Sequence, residues 1–314
     1  MMLARVASEL YWMSRYLERA ESMARILDVC SSIALLSSRS GDPPDMLVSE
    51  PLVITDTEKA FAATGRDLRM DQVAQFLAWD TQHPSSIGNC IAACRENARS
   101  VRGAITAEMW ECINDTWLLL QQRRQGGAKA EPPIDSAFFD WVKERSHLFR
   151  GVSFATLQRG QPYLFIRLGT FIERADNTAR ILSVKTRERE DSDLVADYYR
   201  LGAVLRSVSS MEAYRDIYRD AIEADRVAEL LIFSDQVPRS LRFCVDEICQ
   251  ILERLPAGSG RRARRLAMQL QARLNYGDLK EVYERGLYVY LDRFIEYNNE
   301  MGAAISEGYL ELRN

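Results

Sequence analysis

Histidine is nearly absent from this 314-residue chain, which has only His83 and His147. Triads and general-base chemistry built on imidazole therefore have little material. Lysine is almost as scarce: Lys59, Lys129, Lys143, Lys185 and Lys280 stand among 41 basic residues, and the rest are Arg. Arg suits planar, bidentate pairing with carboxylate or phosphate, although a GC-rich coding bias has the same effect. No G-x-x-x-x-G-K-[ST], G-x-G-x-x-G or G-x-S-x-G occurs, so nucleotide binding by this chain alone is not expected. There is no basic surplus either. The net charge is −4, which excludes a nucleic-acid footprint. No run approaches the roughly 18–20 apolar residues of a membrane span. Arg5, Glu9, Arg15, Glu18 and Arg19 interrupt any apolar leader segment. The six cysteines (Cys30, Cys90, Cys94, Cys112, Cys244, Cys249) form no C-x-x-C, so zinc-ribbon and thioredoxin readings fail. They lie in apolar helical stretches and read as reduced core residues of a cytoplasmic protein.

What the chain has is helix. An apolar fraction of 47% and a charged fraction of 27% are those of a globular protein with a sizeable core. Apolar residues recur with helical period, and no stretch alternates with period two. The pattern predicts helices over 3–37, 58–66, 70–81, 84–123, 135–149, 161–188, 192–221, 224–234, 238–254, 261–275 and 279–311. Gly, Pro and Ser clusters mark breaks at 40–44, 126–133 and 256–260. The charged run Thr186–Asp193 reads as a solvated helix end and turn.

The chain also repeats itself. Glu18-Arg19-Ala20 and Ala24-Arg25-Ile26-Leu27 return as Glu173-Arg174-Ala175 and Ala179-Arg180-Ile181-Leu182, an offset of 155. Asp71-Gln72-Val73-Ala74 returns as Asp225-Arg226-Val227-Ala228 at offset 154, and Pro84-Ser85-Ser86-Ile87 as Pro238-Arg239-Ser240-Leu241 at the same offset. Two blocks in one order at nearly one spacing predict a duplicated unit. The expected fold is all-α: a helical bundle of two internally repeated units, about 1–150 and 155–314. The halves are expected to pack as one domain with pseudo-twofold symmetry. The Pro-x-Ser segments suit helix N-termini.

On a wheel of about 100° per residue, Arg25 lies within about 20° of Glu18, with Tyr11, Ser14, Arg15 and Ser22 nearby. Met13, Leu17, Ala20, Ala24 and Leu27 take the other side. In the second copy Glu173 and Arg180 share a face with Gly169, and Thr170 replaces Arg15. Small residues such as Ser14 and Gly169 let another backbone or a ligand come close. Three readings stay open for these faces. They could be inter-helix glue, the Glu and Arg of one copy pairing across the pseudo-twofold with those of the other, a ligand or partner surface, or a solvated face laced with i,i+4 pairs such as Glu21–Arg25 and Asp176–Arg180. Retention of Glu and Arg in both copies counts against the last. Arg95-Glu96-Asn97-Ala98-Arg99, with Trp110 and Asn114, makes a second polar cluster. A mid-helix Asn is costly unless its amide is satisfied, so a buried polar latch is expected here before a binding site. Glu144-x-x-His147 and Asp80-x-x-His83 have di-iron ligand spacing but lack the further inward carboxylates, so no metal is expected.

Tyr11-Trp12-Met13-Ser14-Arg15-Tyr16-Leu17-Glu18-Arg19-Ala20-Glu21, Leu168-Gly169-Thr170-Phe171-Ile172-Glu173-Arg174-Ala175-Asp176, and Arg95 to Arg99 with Met109-Trp110-Glu111 together resemble the bacterial alpha-E family. That helical group is named for its Glu-Arg motif, and the resemblance covers essentially the whole chain. The family pattern has Leu-Gly-Arg before the second Glu-Arg, where this chain has Thr170. Members of the family stand alone or are fused to circularly permuted ATP-grasp modules. They keep company with such ligases, transglutaminase-like proteins and proteasome-like peptidases. The resemblance thus implies a non-catalytic scaffold for a peptide-bond-forming ligase or its peptide substrate, with no cofactor. The candidate positions are Arg15, Glu18, Arg19, Arg25, Glu173, Arg174 and Arg180, with Arg95, Glu96, Asn97 and Arg99 as the second cluster. An enzyme using the paired carboxylates and a structural homo-oligomer are the alternatives.

Overall fold

The computed structural model describes residues 2–37, 45–125, 134–185, 194–256 and 260–311. The predicted breaks at 40–44 and 126–133, the turn at 186–193 and residues 257–259 of the third loop lie outside the described residues. Among those described there are fifteen α-helices, one π-helical turn and no strand. They form two compact units, Met1–Thr170 and Phe171–Asn314.

The first unit holds α1 (Ala4–Ser37), α2 (Asp45–Ile54), α3 (Glu58–Ala62), α4 (Met70–Trp79), α5 (Ile87–Ser100), α6 (Ala107–Gln125), α7 (Ser136–Thr156) and the first part of α8 (Gln161–Lys185). α1 is its axis, packed against α2, α4, α5 and α7. No residue from Val6 to Ser31 is exposed, so α1 has no wet side. Ala20, Met23 and Leu27 of α1 meet Val73 and Leu77 of α4 and Phe138 of α7 in one continuous core. The second unit holds the rest of α8, then α9 (Leu194–Ser207), α10 (Met211–Tyr218), α11 (Ala224–Phe233), α12 (Leu241–Arg254), α13 (Arg261–Tyr276), α14 (Leu279–Arg285), α15 (Leu287–Ile305) and the π-helical turn Ser306–Leu310. Within it α13 packs on α12, α15 and α11. From Gln161 to Val184, α8 again shows no exposed residue.

Three predicted helices are broken. The stretch 84–123 divides at Val101–Thr106 into α5 and α6, where Thr106 Oγ1 accepts from the Met109 amide (3.2 Å) and starts the new helix. The stretch 192–221 divides where Ser209 turns left-handed (φ 53°), and 279–311 divides at Gly286 (φ 83°). Only the Gly286 break has an unmistakable sequence signal. Helix α7 runs to Thr156, past the predicted end at 149, because Gly151 weakens a helix by only about 1 kcal/mol without ending it. Helix α2 is not among the predicted helices, and Pro51 lies inside it. Buried Val48, Leu52 and Ile54 hold it in place all the same. The two Pro-x-Ser starts are displaced: Ser86 and Ser240 are the N-caps, accepting from Asn89 N (3.3 Å) and Phe243 N (3.0 Å), and each Pro lies in the preceding turn.

All six cysteines are buried free thiols. Burial pushes the Cys94 and Cys112 thiols up, and Cys249 up to about 12, so none of these three carries a reactive thiolate at neutral pH. Titration with a thiol-reactive dye is expected to label fewer than one thiol per native chain and all six in denaturant. Fast labelling of the native chain would contradict this packing.

Candidate functional site

On α1 the polar residues Glu18, Glu21, Arg25 and Asp28 recur every three or four positions and form one stripe. On α7 the polar positions Lys143, Ser146, His147 and Arg150 recur in the same way, with Ser146 interrupting the apolar line Phe139–Val142–Phe149. The two stripes meet antiparallel. Arg150 Nη1 donates to Glu18 Oε2 (2.9 Å), and its Nη2 pairs with Glu21 Oε2 (2.6 Å). Ser146 Oγ donates to the same Glu21 oxygen (2.8 Å). Arg25 closes on the other oxygen of Glu21 through Nε (3.0 Å) and Nη2 (2.8 Å). One step further along, Asp28 takes Lys143 Nζ (2.9 Å) and Ser136 Oγ (3.2 Å).

This network has a dry interior and a wet edge. Glu18 is 1% exposed and Glu21 0%, whereas the Arg150 and His147 side chains reach solvent. Two carboxylates facing two guanidiniums leave no net charge buried, which is the condition under which such a network is tolerated. His147 stands at the rim, its Nε2 3.1 Å from Arg25 Nη2 and 3.5 Å from Glu21.

The Arg of each Glu-Arg pair turns the other way. Arg19 donates to Ser85 Oγ (3.2 Å) beside the start of α5, and Arg174 to the Pro238 carbonyl (3.3 Å) beside the start of α12. Glu173 (3% exposed) and Arg174 (8%) are buried. Arg180 is tied to Asp176 (2.7 Å), and Arg15 lies over the Trp12 ring with its Nη1 on Tyr11 Oη. The solvated-face reading is therefore wrong. The Glu21–Arg25 pair exists, but its carboxylate is sealed in the core. Gly169 fits the close-approach expectation: a Cβ there would run into the Tyr11 carbonyl and Ser14 Oγ, so the helix brought close is α1.

A model of the Alpha-E family, described as a predicted alpha-helical domain with a conserved ER motif, matches residues 2–310. The chain belongs to the Alpha-E family. Similar proteins include an uncharacterised protein of Mycobacterium bovis and two of Mycobacterium tuberculosis. Each is 27% identical over 308 residues, covering 90% of this chain and 34% of the relative. The chain thus spans about a third of the length of the curated relatives it matches. No solved structure matches it.

In this Alpha-E chain the Glu-Arg pairs on α1 and α8 answer to the family's ER motif, and both glutamates are interior. Thr170 turns its hydroxyl onto the Ile166 carbonyl (3.1 Å) of its own helix. Sequence reasoning missed Arg150 and Ser146 altogether, although the matched spacing of the two stripes was there to be read. The second cluster lies apart from these residues. Arg95 donates to Asn114 Oδ1 (3.0 Å) and Glu96 (2.7 Å), Arg99 also pairs with Glu96 (2.8 Å), and the Arg95 and Arg102 guanidiniums stack on Trp110. With its amide nitrogen turned toward α1, Asn97 donates to Glu9 Oε2 (3.0 Å). These contacts fasten α5 to α6 and to α1, but Glu96 and Arg99 are exposed, so the cluster is not the buried latch expected.

Neither metal-like spacing assembles a site, and no group of three or more potential ligands occurs among the described residues. His147 belongs to the α1–α7 network. His83 is buried and stacked on Phe76 (centroids 4.7 Å apart), while Asp80 pairs with Arg66 (2.7 Å). Burial holds the His83 imidazole below its ordinary value of 6.5; Asp80 opposes this and Arg19 adds to it. The unfolded chain thus takes up the proton first, and this contribution to stability is lost as pH falls below about 6.5. A His83→Phe variant is expected to lose less stability than wild type between pH 7 and pH 5. The difference is at most about 1.4 kcal/mol per pH unit, measured by urea unfolding. Parallel pH profiles would refute the assignment.

No helix among the described residues is long and apolar enough to cross a membrane.

Proposed function

We propose that this chain is a non-catalytic binding module that works in the cytoplasm beside an ATP-grasp-type peptide-bond-forming ligase, with a transglutaminase-like protein as a further partner. The observation that carries the reading is the sealing of Glu18 and Glu21 beneath Arg150, Arg25 and Ser146. A general acid or base needs a carboxylate within reach of its substrate. These two are already engaged and lack solvent access, so the Glu-Arg motif builds the protein and does not perform chemistry. The length of the relatives supports the same reading, because there the matching segment is about a third of a larger protein. The test is reconstitution with a purified ATP-grasp ligase from the same organism. Peptide-bond formation is expected to depend on added chain and to change by less than about twofold with Glu18→Gln, whereas a catalytic carboxylate would cost about 10²–10⁴-fold. Ligation indifferent to the chain would reject the proposal.

The architecture we propose for the module is a duplication whose units are related by an approximate twofold axis. It is supported by the sequence offsets, by the matched ten- and fourteen-residue lengths of α4–α5 and α11–α12, and by the two Ser caps. A crystal structure in which superposing the units needs a rotation far from a half-turn would overturn it.

A further inference from the structure

Five guanidiniums of the second unit are exposed and make no ion pair among the described residues. Arg261 and Arg265 stand on the first turns of α13, Arg273 on its last turn, Arg285 at the end of α14 and Arg293 on α15. Their neighbours have structural employment. Arg262 pairs with Glu300 (3.1 Å) and Glu307 (2.8 Å), and Arg264 donates to the Leu252 and Leu255 carbonyls at the end of α12. An arginine on the first turn of a helix also opposes its dipole, so Arg261 costs stability where it stands.

Three of the five surround a groove of about 530 Å³ between α11, α13, α14 and α15. Its floor is apolar (Leu270, Val282 and Phe294, all buried), and Phe233 and Tyr290 line its walls. Tyr276 stands at the mouth, 88% exposed. Arg273 is held over the Tyr297 ring at 4.2 Å. The acids of the lining are outnumbered. Asp278 is spent capping α14 through the Glu281 amide (2.8 Å), which leaves the Glu281 carboxylate against three guanidiniums. Burial pushes the Tyr290 phenol up to about 12, so it remains a donor at neutral pH; Arg273 and Arg285 press the other way from close by. Ala272 joins the groove to the shallow face that carries Arg261, Arg265 and Met268, the last 58% exposed. From Arg261 to Tyr276 the strip is about 22 Å long at 1.5 Å per residue, the reach of about seven residues of extended chain.

Arg, Tyr, Met and Phe are the residues that interface centres favour. A strip this basic on a chain of net charge −4 attracts anions locally without attracting them everywhere. We propose that this strip binds an acidic peptide segment of a partner polypeptide, about seven residues long. An aromatic or aliphatic side chain enters the groove while the carboxylates meet Arg261, Arg265, Arg273, Arg285 and Arg293. The surface is defined by its own chemistry and stands whether or not the partner is a ligase.

Fluorescence anisotropy on the full chain with a fluorescein-labelled Glu-Glu-Phe-Glu-Leu-Glu-Glu peptide tests it. Saturable binding is expected to be at least about tenfold tighter than that of the same peptide with Gln for every Glu, and to weaken between ~50 and ~300 mM salt. An Arg273→Ser, Arg285→Ser double variant, with both changes at exposed positions, is expected to melt like wild type and bind at least about tenfold more weakly. Absence of saturable binding, equal binding of the Gln peptide or undiminished binding by the variant would each overturn the proposal. Displacement by millimolar inorganic phosphate alone would reassign the strip to a free anion. Sedimentation showing a dimer that the double variant abolishes would reassign it to a second copy of the chain.

Discussion

Arg150→Met is expected to lower the unfolding free energy by about 3 kcal/mol, because it strips a guanidinium from two carboxylates that have no water to fall back on. Breaking a buried pair from one side costs about 3–5 kcal/mol, and the partial exposure of Arg150 itself argues for the lower end. At 314 residues that corresponds to a fall in Tm of about 4–5 °C. The control is Arg99→Met, which removes an arginine from an ion pair open to solvent on both sides and is expected to cost no more than about 0.5 kcal/mol. A double-mutant cycle with Glu21→Gln should return a coupling of about 2 kcal/mol. Should Arg150→Met prove as mild as Arg99→Met, the network is an incidental surface contact and the reading of the Glu-Arg motif as structural fails with it.

The second large effect is expected at Gly169. Its Cα lies so close to α1 that an added methyl meets the Tyr11 carbonyl, a backbone atom that cannot swing aside. Gly169→Ala is therefore expected to destabilise by about 3 kcal/mol or more, against the ordinary gain from placing Ala in a helix. Gly151 supplies the contrast. It too is inside a helix, but a Cβ there meets nothing within 4 Å, so Gly151→Ala should stabilise by about 0.5–1 kcal/mol. Chemical denaturation of both variants checks the pair; a Gly169→Ala protein as stable as wild type would mean that α8 can retreat from α1 without loss.

Both expectations concern residues that the sequence made visible to different degrees. Gly169 could be picked out because a small residue on the face of a Glu-Arg helix implies a close neighbour, and the reading left only the neighbour's identity open. Arg150 was invisible because a helical wheel shows which side of a helix is polar and says nothing of which helix comes to meet it. The wet-face reading of Glu21, one of the three left open, fails for a related reason: the i,i+4 pair with Arg25 is the usual sign of a wet face, but a helix surrounded by others keeps the pair and loses the water. The helices themselves were legible from apolar period, apart from α2 and the three breaks inside predicted helices, of which the one at Gly286 had a glycine to mark it. Val101–Thr106 carries a single Gly, and Ser209 adopts the left-handed conformation that sequence reasoning reserves for Gly or Asn. The groove of the second unit was not anticipated at all, since its Arg and Tyr residues come from three helices and share no motif.

The pairing of the α1 and α7 stripes has an effect on folding that the stability of either helix would not reveal. Apolar stripes alone tolerate sliding, because one leucine-sized side chain fits almost as well a turn further along. Were α7 displaced by one turn, about 5.4 Å, toward the end of α1 that carries Arg25, the Arg150 guanidinium would leave Glu18 and come to rest against another cation. Mis-seated arrangements are thus penalised in the dry interior while the correct one is not, and the polar rungs select a single register from several that the greasy residues would accept.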